Sequence, residues 1–417
     1  MFAQVIVDRP LKSTYTYVVP ENFLHLLTVG SFVKVPFGKT YAKAVVLHLI
    51  EKVEETKYKI KSISDVEEHI PPLSSELLKL FKWGADYYHS TLSEMIFSSV
   101  PGGVGKKPKL NKALYIKDLH SCTEFVATTR AKNQVALVKK IMESQSLVLF
   151  SYLNSKEKVA LKAVEKKGLL EIKGVERFLE YRNETSLFSL TTLQKKAYQE
   201  INTNLSESNK AVFLLHGVTG SGKTNVYLHL TDEVLKKGGS VLVLLPEISL
   251  SYQIFKRFHE QFGDLVTMIH SDIDGREKSW IWEQINKGKI RVVVGARSSL
   301  FAPLNKLGLI VIDEEHDSSF KRDESPPFNA RDMAVVRGKF EGATVVLGSA
   351  TPSLETVHNV KVKKYRYLLM EKRVNKKPLP ETSIVNLSGE FKKGIRESLL
   401  SQKLLNEITK NLHNKEQ

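Results

Sequence analysis

The sequence has one cysteine, Cys122, in 417 residues. That excludes a disulfide framework and a cysteine-based zinc site within this chain, and it matches a reducing compartment. No stretch approaches the ~20 consecutive apolar residues of a membrane span. Acid is also in short supply. There are 46 Asp and Glu against 62 Lys and Arg, a formal charge of +16 with a pI near 9.5. A protein this basic is expected to meet a polyanion, although charge alone does not say which. The opening Met1-Phe2-Ala3-Gln4-Val5-Ile6-Val7-Asp8 puts acid where an export signal puts base. The expected location is therefore cytoplasmic. With 42% hydrophobic and 26% charged residues the chain is globular in composition, and its length suits two or three domains.

The first hundred residues read as β. Gln4–Val7, Tyr15–Val19, Ser31–Val35 and Ala44–Ile50 are short runs of β-branched and aromatic residues, broken by Pro10, Pro20, Gly30 and Pro36-Phe37-Gly38. A helix is predicted from Ser74 to about Tyr88. The glycine-, proline- and lysine-rich run Val100–Lys109 is the best linker candidate, and the linker is expected over 106–123. In 124–182 two helical patterns, Asn133–Met142 and Lys156–Lys167, precede a short strand, Leu169–Ile172. That is the outline of a winged helix, and of other small helical modules.

From 185 to 370 the pattern alternates buried strands with helices. The strands are Val212–Leu215, Val241–Leu245, Val266–His270, Arg291–Val294, Leu309–Ile312 and Thr344–Leu347, apolar runs suited to a parallel sheet covered on both faces. The residues from Lys361 onward carry 14 Lys and Arg against 6 Asp and Glu. The segment 371–417 is expected to be a basic tail.

The strongest signal is Gly217-Val218-Thr219-Gly220-Ser221-Gly222-Lys223-Thr224. It has the phosphate-loop spacing and lies between a predicted strand and a predicted helix, Asn225–Lys236. Glycines let the backbone wrap phosphates, and the helix turns its positive end toward them. Lys223 is expected on the β- and γ-phosphates of ATP and Thr224 on Mg²⁺. Asp313-Glu314-Glu315-His316 closes the strand Leu309–Ile312, where acids face a nucleotide crevice. Asp313 is expected to hold Mg²⁺ and Glu314 to polarise the attacking water. A rival reading, a His and carboxylate metal site, lacks a further histidine to complete it. Gly348-Ser349-Ala350-Thr351-Pro352 follows a third strand, where Ser349 and Thr351 can hydrogen-bond the acidic motif.

With these three motifs in order the sequence resembles superfamily 2 helicases, and more narrowly the PriA family of replication-restart helicases. The resemblance rests on Gly217–Tyr227, Leu245–Leu250 (LPEISL), Gly295–Pro303 (GARSSLFAP), Val311–Phe320 (VIDEEHDSSF), Leu347–Leu354 (LGSATPSL) and Ala330-Arg331-Asp332. In the opening domain it rests on Val33–Lys39 (VKVPFGK) and Trp83–Tyr88 (WGADYY). It implies an α/β fold: one RecA-like P-loop helicase lobe over 185–370, preceded by a small β-rich DNA-binding domain over 1–105 and a winged helix.

The resemblance also implies an ATP-dependent helicase, moving 3′→5′, that recognises stalled or branched forks and starts primosome assembly. Gln194 falls at the Q motif, which contacts adenine. The stretch from Asp317 to Asp332, with His316 before it, matches a loop coupling DNA binding to hydrolysis; its aromatics, Phe320 and Phe328, suit base stacking or are simply buried. Arg297 and Ser298 match the single-strand track. Tyr15, Thr16, Tyr17, Gly38 and Lys61 match a pocket for the 3′ end of a DNA strand, although Tyr15 and Tyr17 suit a β-barrel core equally well. Thr16 stands where the family commonly has aspartate, so it accepts a terminal hydroxyl more weakly.

Implied partners are branched and single-stranded DNA with a 3′ end, single-stranded DNA-binding protein and other primosome proteins, with no membrane. The family continues with a cysteine-rich zinc module and a second lobe bearing an arginine finger; this sequence stops near where that lobe is expected to begin. Two other readings stay open: a non-catalytic DNA-binding protein using ATP as a conformational ligand, and a different phosphate-loop ATPase acting on RNA.

Overall fold

A computed structural model describes residues 1–53, 59–101, 111–142, 148–149, 153–175, 187–207, 211–246, 251–270, 273, 275–374, 382–387 and 400–414. The N-terminal strands β1 (Phe2–Val7), β2 (Tyr15–Val18), β3 (Phe32–Phe37), β4 (Thr40–Ile50) and β5 (Asp65–Val66) form one antiparallel sheet, ordered β2-β1-β4-β3-β5. Helices α1 (Ser75–Tyr87) and α2 (Leu92–Ser99) follow. Ser74 caps α1 by accepting from the Leu77 amide, and Thr91 with Glu94 makes a capping box for α2.

The next segment holds β6 (Asn111–Ile116), α3 (Leu119–Thr128), α4 (Lys132–Met142), β7 (Val148–Leu149), α5 (Ser155–Lys166) and β8 (Leu170–Val175), its three strands pairing antiparallel as β7-β6-β8. Leu114, Leu137, Val138, Leu161 and Val164 fill a core of their own. Two of these elements fall where the sequence reads as linker: strand Asn111–Ile116 and the start of α3 lie within 106–123, while residues 102–110 lie outside the described ones. The amide ladder, not side-chain pattern, makes that strand, because Asn-Lys-Ala-Leu-Tyr-Ile alternates weakly.

The main sheet begins after helix α6 (Thr192–Ser206) with β9 (Val212–Gly217) and α7 (Lys223–Lys236). Then come β10 (Ser240–Leu244), α8 (Ser251–Phe262), β11 (Val266–Ile269), α9 (Gly275–Asn286), β12 (Val292–Gly295) and β13 (Leu307–Asp313). A short hairpin, β14 (Lys321–Arg322) and β15 (Phe328–Asn329), leads into α10 (Ala330–Glu341), β16 (Thr344–Ser349), α11 (Leu354–Lys361) and β17 (Arg366–Met370). Seven parallel strands run in the order β11-β12-β10-β13-β16-β9-β17.

Period-two burial sorts this sheet into two cores. Leu242, Leu244, Ile310, Ile312 and Leu347 face one side; Val241, Val243, Leu309, Val311 and Val346 face the other. The N-terminal helices join the first of these cores: Phe81 stacks on Phe301 with ring centroids 5.1 Å apart, and a Cβ at Gly84 would sit 2.9 Å from Met333 Cε. Residues 1–101 therefore share packing with the main sheet instead of forming an isolated unit.

Asn375–Gln417 form a separate compact unit. Its described part includes α12 (Gln402–His413), capped by Ser401. Among the described residues no helix is long and apolar enough to cross a membrane.

Candidate functional site

The phosphate loop leaves β9 at Gly217 and enters α7 at Lys223. Gly220 and Gly222 take φ of +78° and +81°, a region L side chains seldom occupy. Both are needed. A Cβ at Gly222 would overlap Gln194 Nε2, and one at Gly217 would lie 2.6 Å from Ser221 Oγ. Lys223 is nearly buried at the start of α7, its Nζ donating to Gly217 O at 3.0 Å and lying 3.7 Å from Glu314 Oε1. Ser221 Oγ is buried with no hydrogen-bond partner among the described residues. An orphaned hydroxyl inside a loop of backbone amides fits a phosphate ligand.

Asp313 ends β13 and is buried. Tyr227, on the α7 face turned to the sheet, donates from Oη to Asp313 Oδ1 at 2.9 Å. Burial pushes the Asp313 carboxyl up to about 6, and the neighbouring Glu314 charge adds to the rise. Burial beside Asp313 holds the Tyr227 phenol well above its ordinary range. Gly348, paired with Asp313 across β13 and β16, leaves the room for this contact, since a Cβ there would overlap Tyr227 Oη. Glu314 takes a left-handed backbone, φ +47°, which turns its carboxylate toward Lys223. Thr224 lies one residue beyond Lys223 on α7. Magnesium is generally held by one or two side chains plus substrate phosphates; the Thr224 hydroxyl and the Asp313 carboxylate suit that arrangement. Among the described residues no group of three or more His, Cys, Asp or Glu converges on one point.

His316 joins the acidic motif to the β16 turn. Its Nδ1 is 2.8 Å from Ser349 Oγ, its Nε2 is 3.3 Å from Thr351 Oγ1, and Glu314 Oε2 lies 3.7 Å from Nδ1. Ser349 Oγ also accepts from the Thr351 amide at 3.0 Å. His316, Ser349 and Thr351 are thus brought together. Gln194 reaches the phosphate loop, its Nε2 donating to Ser221 O at 2.8 Å while its Oε1 accepts from the Thr191 amide at 2.9 Å. Thr219 and Gly220 form the exposed loop tip, and Val218 is half-buried behind them.

Phe320 and Phe328 require a correction. Expected as base-stacking aromatics, they are 1% and 4% exposed, and Phe328 packs edge-on against Phe301 at 5.5 Å. A ring without a free face cannot stack on a base. The loop is pinned instead by Arg297, whose Nη1 donates to Lys321 O at 2.7 Å, and by the β14–β15 pairing. Ser298 beside it is exposed.

Sequence reasoning passed over Glu315. It is fully buried and accepts from Arg331 Nη1 at 3.2 Å, from Ser353 N at 2.8 Å and from Thr356 Oγ1 at 2.9 Å. Arg331 also donates to Ser353 Oγ at 2.8 Å and to Asp332 at 3.0 Å. One carboxylate therefore ties the acidic motif, the start of α10 and the turn before α11 together. The only hint in the sequence is three acids in a row at a strand end, which cannot all face solvent and ligand. Leu245 and Pro246 of the Leu245–Leu250 motif are described, and residues 247–250 lie outside the described ones.

At the other end of the sequence, Tyr15 packs edge-on against Phe37 at 5.2 Å, and Lys61 Nζ donates to Gly38 O at 3.3 Å. Gly38, with φ +60° and, among the described residues, no atom within 4 Å of where a Cβ would sit, tops the β3–β4 turn. Thr16 pairs with Gln4 across β2 and β1. Tyr17 belongs to the core, 5% exposed, with its hydroxyl on Pro36 O at 3.0 Å and its phenol raised by burial. It offers no stacking face. Tyr15, Gly38 and Lys61 surround one turn.

Two family models match the chain: a 3′ DNA-binding domain over residues 4–101 and a DEAD/DEAH box helicase over residues 191–360. Replication restart protein PriA of Chlamydia pneumoniae is 35% identical over 434 residues, covering 100% of this chain and 57% of that protein. The same protein of Rickettsia typhi is 42% identical over 404 residues, covering 96% and 50%.

The chain belongs to the PriA family.

PriA of Bacillus subtilis is 30% identical over 493 residues, across 100% of this chain and 61% of its own length. The chain thus spans 50–61% of the length of these three relatives. A solved structure of RecG bound to a three-way DNA junction aligns over 50% of this chain at 23% identity, with a TM-score of 0.36. The helicase match encloses every residue of the phosphate loop, the acidic motif and the β16 turn. The match to the 3′ DNA-binding domain encloses Tyr15, Thr16, Gly38 and Lys61.

Proposed function

We propose that this chain supplies the DNA-end-binding and ATP-binding parts of a PriA-type replication-restart helicase. The observation that carries the reading is one contact set. Lys223 and Glu314 lie 3.7 Å apart at the carboxyl ends of two parallel strands, with a buried carboxyl, Asp313, behind them. That is an arrangement for a nucleotide triphosphate with its metal: lysine for phosphate charge, Asp313 and Thr224 for Mg²⁺, Glu314 for the attacking water.

The activity proposed for the whole protein is 3′→5′ unwinding at stalled or branched forks, followed by primosome assembly with single-stranded DNA-binding protein and other primosome proteins. Residues 124–182 serve in this reading as a winged-helix-like DNA-binding module. His316, Ser349 and Thr351 couple the state of the γ-phosphate to α10 and α11, and Arg297 couples the strand track to the loop after the acidic motif. The match to a 3′ DNA-binding domain favours DNA over RNA.

The 3′-end pocket gives the test. Binding of forked DNA to residues 1–417, followed by fluorescence anisotropy, should prefer a free 3′ hydroxyl over a 3′ phosphate. Restoring the usual acid with Thr16→Asp should widen that preference several-fold, because a charged acceptor holds a hydroxyl about twice as strongly as a neutral one. Log affinity should fall against log salt with a slope of about −0.9 per duplex phosphate contacted. The whole chain is the right material, since residues 1–101 share packing with the main sheet. Equal affinity for both ends, or an RNA fork bound as tightly as DNA, would count against the reading.

A further inference from the structure

A segment that no motif marks runs along the outside of the phosphate loop. After β17, the Val218 amide donates to Met370 O at 3.2 Å and the Val374 amide donates to Gly220 O at 3.0 Å. Both loop glycines look onto it. A Cβ at Gly220 would lie 3.9 Å from Arg373 Cγ, and one at Gly222 would lie 3.1 Å from Val374 Cγ2 as well as overlapping Gln194 Nε2. Gln194, Arg373 and Val374 therefore flank the same two residues.

Two features of this segment ask for a ligand. Arg373 Nε is closed off from solvent with no hydrogen-bond partner among the described residues. A buried donor left in that state is costly, and an acceptor brought by a ligand relieves it. Beside it Val374 is 52% exposed, an apolar side chain at the edge of a site otherwise built from polar groups.

The sheet order decides which part of a nucleotide they meet. In β13-β16-β9-β17, the acids lie two strands to one side of the phosphate-loop strand, and Arg373 follows the strand on its other side. The γ-phosphate belongs with Glu314, so the far side is left for the base.

We infer that Arg373 and Val374 form a wall of the base subsite, Val374 lying against a purine and the Arg373 guanidinium donating in its own plane to an acceptor on the purine edge. The inference rests on the ATP reading above. A guanidinium suits the role because it is planar, always charged and weakly hydrated, whereas a lysine ammonium is a point charge.

Calorimetric titration of residues 1–417 with ADP and, separately, with inorganic pyrophosphate tests this. Pyrophosphate fills the phosphate loop and has no base. Arg373→Ala should weaken ADP about tenfold while leaving pyrophosphate unchanged, and Arg373→Lys should fail to restore ADP affinity. Unchanged ADP affinity in Arg373→Ala would overturn the inference. So would an equal loss for both ligands that lysine repairs, because that marks a phosphate contact. If the unsubstituted chain binds neither ligand, the ATP reading falls and takes this one with it; if it binds both and Arg373→Ala changes neither, only the inference falls.

Discussion

ATP turnover by a polypeptide of residues 1–417, saturated with forked DNA, should stay about 10³–10⁵-fold below that of a two-lobed helicase. The groups in place here hold the ground state and the water: Lys223, Thr224, Asp313 and Glu314. Phosphoryl transfer also needs a cation where charge builds on the γ-phosphate, worth ~4–7 kcal/mol of barrier. The arginines near the motifs are engaged elsewhere. Arg331 is tied to Glu315, Asp332 and Ser353, and Arg297 donates to the carbonyls of Ser319 and Lys321. Arg373 lies across the sheet from the acids. Steady-state phosphate release with and without forked DNA measures the effect, and strong DNA-stimulated turnover would mean that one of these arginines moves into the site.

Asp313→Asn should stabilise the nucleotide-free chain by up to about 3 kcal/mol at pH 8 and by nothing at pH 4. Burial raises this carboxyl from 3.8 to about 6. A raised acid keeps its proton in the folded state where the unfolded chain has released it. The resulting stability is fully present below the unfolded value and is lost as pH climbs through 6. At pH 8 the fold carries a buried charge that asparagine removes while still accepting from Tyr227 Oη. The same substitution should weaken Mg²⁺-dependent nucleotide binding. In the unsubstituted chain that binding should decline as pH falls through 6 and Asp313 takes up its proton. Urea melts at the two pH values check the first effect; a substitution that destabilises equally at both would contradict it.

What the sequence made legible and what it hid follow from the range of the interactions. The phosphate loop is written in eight adjacent residues, and the strands around it are unbroken apolar runs, so both can be read locally. The contact of Tyr227 with Asp313 spans 86 positions, and nothing in a local window distinguishes that tyrosine from any other helix residue. Phe320 and Phe328 lie in a loop, where an aromatic suits stacking and burial alike until the packing partner Phe301 is known. Tyr17 left two readings open for the same reason: its hydroxyl meets Pro36 only after β2 and β3 have folded, and that contact selects the core. Strand β17 is missing from the strands read in the sequence because it is an edge strand, with Arg366, Tyr367 and Leu369 exposed, and so lacks the continuous apolar signature of the inner strands; Arg373 and Val374 just beyond it fall in the segment read as a basic tail.

The most direct test of the account is nucleotide-dependent stabilisation of the Lys223→Ala chain. With ATP–Mg²⁺ at about 100 times its dissociation constant, the unsubstituted chain should gain ~2.7 kcal/mol in thermal or chemical unfolding. Lys223→Ala should unfold as the unsubstituted chain does without nucleotide and should gain almost nothing when nucleotide is added. An undiminished gain in Lys223→Ala would contradict the assignment of Gly217–Thr224 as the ATP site.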